Sequence, residues 1–151
     1  MTHDNPEAVI SARKTWMGLL ARAKPARLAE LFPALPSHDL LRQPEIGAVM
    51  VQGRIGGTGL PFNLGEMTVT RCSLRLASGA VGHAHVHGRD KGHALRAAAV
   101  DALMQTAEAA EVQAAVLTPL QDAETARRAN RAAKAAATKV EFFTLVRGED
   151  Q

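Results

Sequence analysis

Residues 54–93 read R-I-G-G-T-G-L-P-F-N-L-G-E-M-T-V-T-R-C-S-L-R-L-A-S-G-A-V-G-H-A-H-V-H-G-R-D-K-G-H, and their pattern decides the fold class. From Met67 to Leu76 the residues alternate, with Thr68, Thr70, Cys72, Leu74 and Leu76 on one face and Val69, Arg71, Ser73 and Arg75 on the other. Ser78-Gly79 signals a turn, so Ala80 to His87 is expected to return antiparallel as a hairpin. The glycines at 56, 57 and 59 allow a loop path that other residues resist. Gly88-Arg89-Asp90-Lys91 forms a helix entrance, with Asp90 as the expected N-cap.

Working outward, Ile46 to Arg54 is the first expected strand, preceded by a polar, Pro-containing connector over 37–45 and followed by a long glycine-rich loop over 55–65. Upstream, Asn5-Pro6-Glu7 has the form of a capped helix start, and Trp16, Leu19, Leu20 and Ala23 recur at one helical face. Lys24-Pro25 breaks that helix; a short second one carries Leu28, Leu31 and Phe32 before Pro33 and Pro36. Downstream of Asp90 a long helix is expected to about residue 115, with a stripe of Ala97, Val100, Leu103, Met104 and Ala107. Thr118-Pro119 is expected to interrupt it before an Ala-rich helix to about Thr138. A last strand over Val140–Val146 closes the order ααβββααβ. This predicts an α+β fold, with helices packed on a small, largely antiparallel sheet of about four strands. The whole of 1–151 is expected to form one domain: a helical pair over 1–36, strands and glycine loop over 46–88, two helices over 90–138, and the strand at 140–146.

The bulk composition narrows the function. At 151 residues the chain can bury a real core, and 46% hydrophobic with 22% charged residues is ordinary for a globular protein. Aromatics make up only 3%, with no Tyr, which disfavours a base-stacking nucleic-acid platform. A net charge of +3 is weak for general nucleic-acid binding. Cys72 is the single cysteine, which precludes an intrachain disulfide and fits a reducing compartment. The first residues lack an apolar h-region, and no apolar run reaches the ~20 residues that span a bilayer. A cytoplasmic protein with neither nucleic acid nor membrane as partner is expected.

Six pieces in order resemble one family: W-M-x-x-L-A at Trp16–Ala21, R-x-G-G-T-G at Arg54–Gly59, T-x-T-R at Thr68–Arg71, G-R-D-K at Gly88–Lys91, D-A-L-M at Asp101–Met104 and V-E-F-F-T-L-V-R-G at Val140–Gly148. Together they are similar to the G subunits (PhnG) of the bacterial carbon–phosphorus lyase core complex, over nearly the whole chain. The resemblance implies a role in phosphonate catabolism. In that family the G, H, I and L subunits together make α-D-ribose 1-methylphosphonate 5-triphosphate, displacing adenine from ATP by methylphosphonate. The I subunit (PhnI) is the catalytic component, and G sits in the core with PhnH, PhnI and PhnJ. The implied chain is a structural or site-completing subunit whose partners are chiefly PhnI, and also PhnH, PhnJ and PhnL. It would bind no cofactor alone, while the complex uses ATP and methylphosphonate.

The resemblance makes Arg54, Gly56, Gly57, Thr58, Gly59, Thr68, Thr70, Arg71, Gly88, Arg89, Asp90, Phe142, Phe143 and Arg147 the family-motif and interface candidates. No catalytic residue is expected. His83, His85 and His87 share one strand face and offer an alternative reading as a metalloenzyme, since imidazoles bind Zn²⁺ and related ions. Alternate side chains on a strand stand ~6.5–7 Å apart, so three would converge only with curvature or a bulge. These positions also depart from the family pattern, which is typically aromatic or apolar there. Sheet-face or interface histidines are the preferred reading. A second alternative is a phosphate or nucleotide module using the G-G-T-G loop, although no Walker Lys-Ser/Thr follows its last glycine. Arg54 and Arg71 are planar donor forks that suit an interface carboxylate or a phosphate. The basic helical run after Thr125 is assigned to solvent or a protein partner, and Cys72 to a small buried hydrophobe.

Overall fold

A computed structural model of the chain describes residues 5–139. Helix α1 runs Pro6–Arg22, opened by Asn5, whose side-chain oxygen accepts the Glu7 N–H at 3.1 Å. Pro6 at the first helical position loses nothing, because its missing N–H has no intrahelical acceptor there. After the break before Pro25, helix α2 spans Pro25–Leu31. Each turns one apolar face inward: Leu19, Leu20 and Leu28 are buried, with Trp16, Ala23, Leu31 and Phe32 packed around them, while Val9 and Ile10 near the start of α1 are exposed.

The described residues form a three-stranded antiparallel sheet in the order β1-β2-β3. The expected fourth strand, Val140–Val146, lies outside them. Strand β1 spans His38–Arg54, β2 Pro61–Leu76 and β3 Val81–His87. Two expectations are corrected here. The Pro-containing stretch 37–45 is mostly strand, not connector. Pro44 is accommodated because β1 is an edge strand and its ladder with β2 is irregular between Arg42 and Glu45, so no inward donor is needed there. The loop expected over 55–65 shrinks to a tip at 55–60, because Pro61 to Glu66 pair with β1 as far as Met50. The β2–β3 hairpin falls where the pattern put it, with Arg75 opposite Val81 and Gly79 at φ 90° in the turn.

Helix α3, Lys91–Leu103, lies on the sheet face formed by Thr70, Cys72, Leu74, Gly82, Ala84 and Val86. Its Ala-rich run is buried from Ala97 to Leu103 because the helix approaches β3 closely at Gly82. A Cβ there would strike the Ala98 carbonyl oxygen and stand 2.7 Å from the Ala102 nitrogen. The expectation of one helix to 115 fails. The Thr106 hydroxyl donates to the Leu103 carbonyl at 2.7 Å, and i→i−3 bonds tighten the last turn at Gln105 and Thr106, so α3 stops. Ala107 is consequently exposed. A short α4 (Ala109–Val112) and one π-helical turn (Gln113–Leu117) lead directly into α5, Thr118–Ala137. Pro119 therefore opens a helix and interrupts none; it lacks the N–H that an α-helical ladder would require of it, and the chain ahead winds one residue wider. Val112, Val116, Leu117 and Leu120 join the core, whereas α5 beyond Glu124 is exposed.

Candidate functional site

Two of the sequence motifs meet in space. Strand pairing sets Thr70 opposite Val86, and the buried Thr70 hydroxyl donates to the Gly88 carbonyl at 2.7 Å. The Gly88 N–H reaches the Thr68 carbonyl at 2.9 Å, and Gly88 adopts φ 89°, a left-handed value that an L side chain resists. The chain thereby turns out of β3 so that Asp90 caps α3, its carboxylate accepting the His93 N–H at 2.8 Å. Thr68, Thr70, Gly88 and Asp90 thus form one strand-to-helix corner. Arg89 and Lys91 stand exposed beside it. His93 is buried; its Nε2 bonds the Leu20 carbonyl at 2.9 Å, which ties α3 to α1, while its Nδ1 has no partner. Burial holds its imidazole below the ordinary pKa, against the opposing pulls of the Leu20 carbonyl and Asp90.

The glycine loop is the tip of the long β1–β2 hairpin. Gly56 and Gly57 take φ 61° and 80°, and the exposed Arg54 guanidinium donates to the Gly59 carbonyl at 3.1 Å, closing the turn across Thr58. Arg71 lies across Gly47: its Nη2 would stand 3.1 Å from a Cβ placed there. His83, His85 and His87 are exposed on the sheet face opposite α3. The His83 Nδ1 hydrogen-bonds the Ser73 hydroxyl at 2.8 Å, and among the described residues no three His, Cys, Asp or Glu side chains gather as a metal would need. Cys72 is buried, its thiol directed at the Arg42 carbonyl at 3.6 Å; burial raises its pKa, away from a nucleophile's needs. Phe142, Phe143 and Arg147 lie outside the described residues.

Two carboxylates stand out that sequence reasoning had not singled out for a role. Asp101 is fully buried. It accepts a fork from Arg13 (Nε 3.1 Å, Nη2 2.7 Å), the Trp16 indole N–H at 2.9 Å and the His83 backbone N–H at 2.9 Å. One turn on, the Gln105 amide donates to the Val81 carbonyl at 2.9 Å. Asp101 and Gln105 together cap the outer edge of β3, which would otherwise offer unpaired backbone groups. Glu124 accepts from Arg22 (Nε 3.0 Å) and Arg128 (2.8 Å), joining α1 to α5. Hydrogen bonds from Arg22 and then Arg128 hold its carboxyl below the usual range, partly opposed by burial. The W-M-x-x-L-A and D-A-L-M pieces carried a signal for Asp101, since one supplies Trp16 and the other the acid that receives it.

The architecture defines an α+β protein in which Arg54, Thr70, Gly88, Asp90 and Asp101 of the motifs bond within the chain, at its turn tip, corner and strand edge. A family model described as "Phosphonate metabolism protein PhnG" matches residues 11–148. The chain is also 46% identical to the alpha-D-ribose 1-methylphosphonate 5-triphosphate synthase subunit PhnG of Rhizobium meliloti (strain 1021), over 95% of this chain and 94% of that protein. The chain belongs to the PhnG family of phosphonate metabolism proteins.

Proposed function

We propose that the chain is a subunit of an α-D-ribose 1-methylphosphonate 5-triphosphate synthase and supports the catalytic partner without performing the chemistry itself. The observation that carries this reading is the 46% identity, along nearly the full length of both chains, to a protein named as that subunit. The engagement of Thr70, Gly88, Asp90 and Arg54 in bonds within the chain supports a scaffolding role for the family motifs. The partners are the other subunits of the carbon–phosphorus lyase complex, chiefly PhnI, with PhnH, PhnJ and PhnL. The substrates, ATP and methylphosphonate, belong to the assembled complex. No helix among the described residues is long and apolar enough to cross a membrane, which accords with a cytoplasmic assembly.

Co-expression of the tagged chain with the neighbouring subunits, followed by an assay of adenine release from ATP and methylphosphonate, tests this reading. The expected result is a stable complex whose activity is lost when this chain is omitted. A chain that purifies alone, or a complex equally active without it, overturns the reading.

A further inference from the structure

Among the described residues β3 is an edge of the sheet, and the chain closes only the first half of that edge. The Leu76 N–H reaches the Ala80 carbonyl and the Gly88 N–H the Thr68 carbonyl, both at 2.9 Å, which fixes the phase of the ladder. Gly82, Ala84 and Val86 therefore turn their backbone groups to β2, while Val81, His83, His85 and His87 turn theirs outward. Asp101 and Gln105 cap this edge as far as the His83 N–H and the Val81 carbonyl. Past them, the His83 carbonyl, both backbone groups of His85 and the His87 N–H have no partner among the described residues.

Beside these groups lies a groove of about 310 Å³ whose other wall is Met17, Gly18 and Ala21 of α1. Helix α1 packs on β3 and α3, tied to α3 by Arg13 on Asp101 and by His93 on the Leu20 carbonyl. Neighbouring helices stand about 8–10 Å apart and neighbouring strands about 4.8 Å, so α1 floors the place of a strand beyond β3. Met17, Gly18 and Ala21 are only partly buried there.

The expected fourth strand, Val140–Val146, is poorly placed to fill it. One cavity sets Leu117 with Thr15 and another sets Asn130 with Arg27, so α5 runs along α1 and past its end. From Glu124, bonded to Arg22, α5 rises about 20 Å further to Ala137. An extended return, at about 3.3 Å per residue, spends most of Val140–Val146 before it reaches His85. A second copy's β3 does not fit either. Antiparallel pairing of two β3 edges keeps both helical layers on one side, and the copy's α3 would enter the space of α1. Charge narrows the occupant: Glu45, Arg71 and His85 form one row across the outer face, and no carboxylate lines the groove beyond His85.

We infer that this edge receives an extended segment of another synthase subunit as an added strand, with small or apolar side chains toward α1 and acidic ones beside His85. The inference rests on the subunit reading above and adds the contact surface and its chemistry. An extended backbone matches the alternating donors and acceptors of the open edge. The added strand lies in the plane of the sheet, so the side chains of His83, His85 and His87 stay on its open face.

The experiment is co-purification of the full chain with its co-expressed subunits, comparing wild type with His85→Pro and His85→Ala. Proline deletes the outward N–H and sets its ring in the path of the added strand, yet removes no bond between β3 and β2. His85→Pro is expected to cut the recovered complex about tenfold or more. His85→Ala keeps the backbone and removes one exposed cross-strand pair, a loss of about fivefold at most. Retention of the complex by His85→Pro overturns the inference and leaves the subunit reading intact, whereas failure of the wild type to co-purify overturns that reading and the inference with it. Equal losses in the two variants assign the contact to the imidazole and overturn the inference. Residue-resolved amide exchange on the unaltered protein guards against a misfolded variant. The His85 and His87 amides are expected to exchange freely in the free chain and about tenfold or more slowly in the complex. Equal exchange in the two states overturns the inference. Slow exchange of both amides already in the free chain assigns the edge to the chain's own terminal segment or to a second copy, and also overturns it.

Discussion

The Asp101 carboxylate accepts the His83 backbone N–H at 2.9 Å, so a buried charge on α3 closes the exposed edge of β3. Arg13 and Trp16 complete the same carboxylate from α1, and three elements meet at one side chain. Asp101→Ala is therefore expected to destabilise the protein by about 3 kcal/mol, the lower end for a broken buried pair because Arg13 keeps some contact with water. Urea unfolding of the free chain measures it. A loss under 1 kcal/mol would show that the edge bond and the fork contribute little.

Gly82 is the position where β3 and α3 come closest. Gly82→Ala places a methyl against the Ala98 carbonyl oxygen, a backbone atom that cannot swing aside. The expected cost is about 3 kcal/mol or more, from overpacking that only a backbone shift can relieve. Soluble expression and thermal unfolding near wild type would contradict so tight a contact.

The corner between β3 and α3 depends on the Thr70 hydroxyl. Thr70→Val keeps the shape and deletes the buried hydroxyl that donates to the carbonyl of the exposed Gly88, an expected loss of about 1 kcal/mol. Amide exchange should quicken at Gly88 and in the first turn of α3. Unchanged exchange there would mean that the turn is held by its backbone alone.

Glu124 links stability to acid pH. Its folded carboxyl is depressed below the ordinary value of about 4.3, so its stabilisation is present above that value and is lost as pH falls through the lower folded one. The carboxylate opens onto a notch of about 460 Å³ between α1 and α5, and Arg22 and Arg128 are 41% and 67% exposed, so water and salt screen the pair. Glu124→Gln should cost about 1 kcal/mol or less at neutral pH and low salt, and the difference should shrink as pH falls through the lowered folded value. A difference that persists in acid would assign the effect to packing.

His93 acts in a higher window. Its folded imidazole is depressed, so the unfolded chain takes up the proton first. The stability it permits is full above the ordinary value of about 6.5, declines as pH drops below that, and levels at the folded pKa. His93→Gln keeps a donor toward the Leu20 carbonyl but cannot titrate. The decline between pH 7 and 5 should be smaller in this variant than in wild type, read by unfolding at each pH.

Local signals carried much of the architecture. The cap at Asn5, the break at Pro25, the β2–β3 hairpin with its Ser78-Gly79 turn and the Asp90 cap depend on neighbouring residues, and their chemistry is written in short stretches. Where the local reading failed, a neighbour in space had decided. Pro44 looked like a connector until the edge position and ladder irregularity of β1 made it harmless. The glycine loop looked long because pairing of Pro61–Glu66 with β1 has no local signature stronger than the glycines around it.

By itself the sequence determined the α+β class, the helix starts at Asn5-Pro6, Pro25 and Asp90, and the family, because ordered motifs survive without knowledge of their contacts. Tertiary structure alone decided what those motifs do. Asp101 reaches Arg13 across 88 positions and His83 across 18, and Arg22 reaches Glu124 across 102. Gly82 is tightly confined only because α3 lies on it, and Leu64 comes round to the side of Phe62 only because one extra residue of β2 falls opposite Val51 and Gln52. Contacts between distant positions are set by how elements pack, and packing energy is summed over the whole fold, so no single stretch of chain records it.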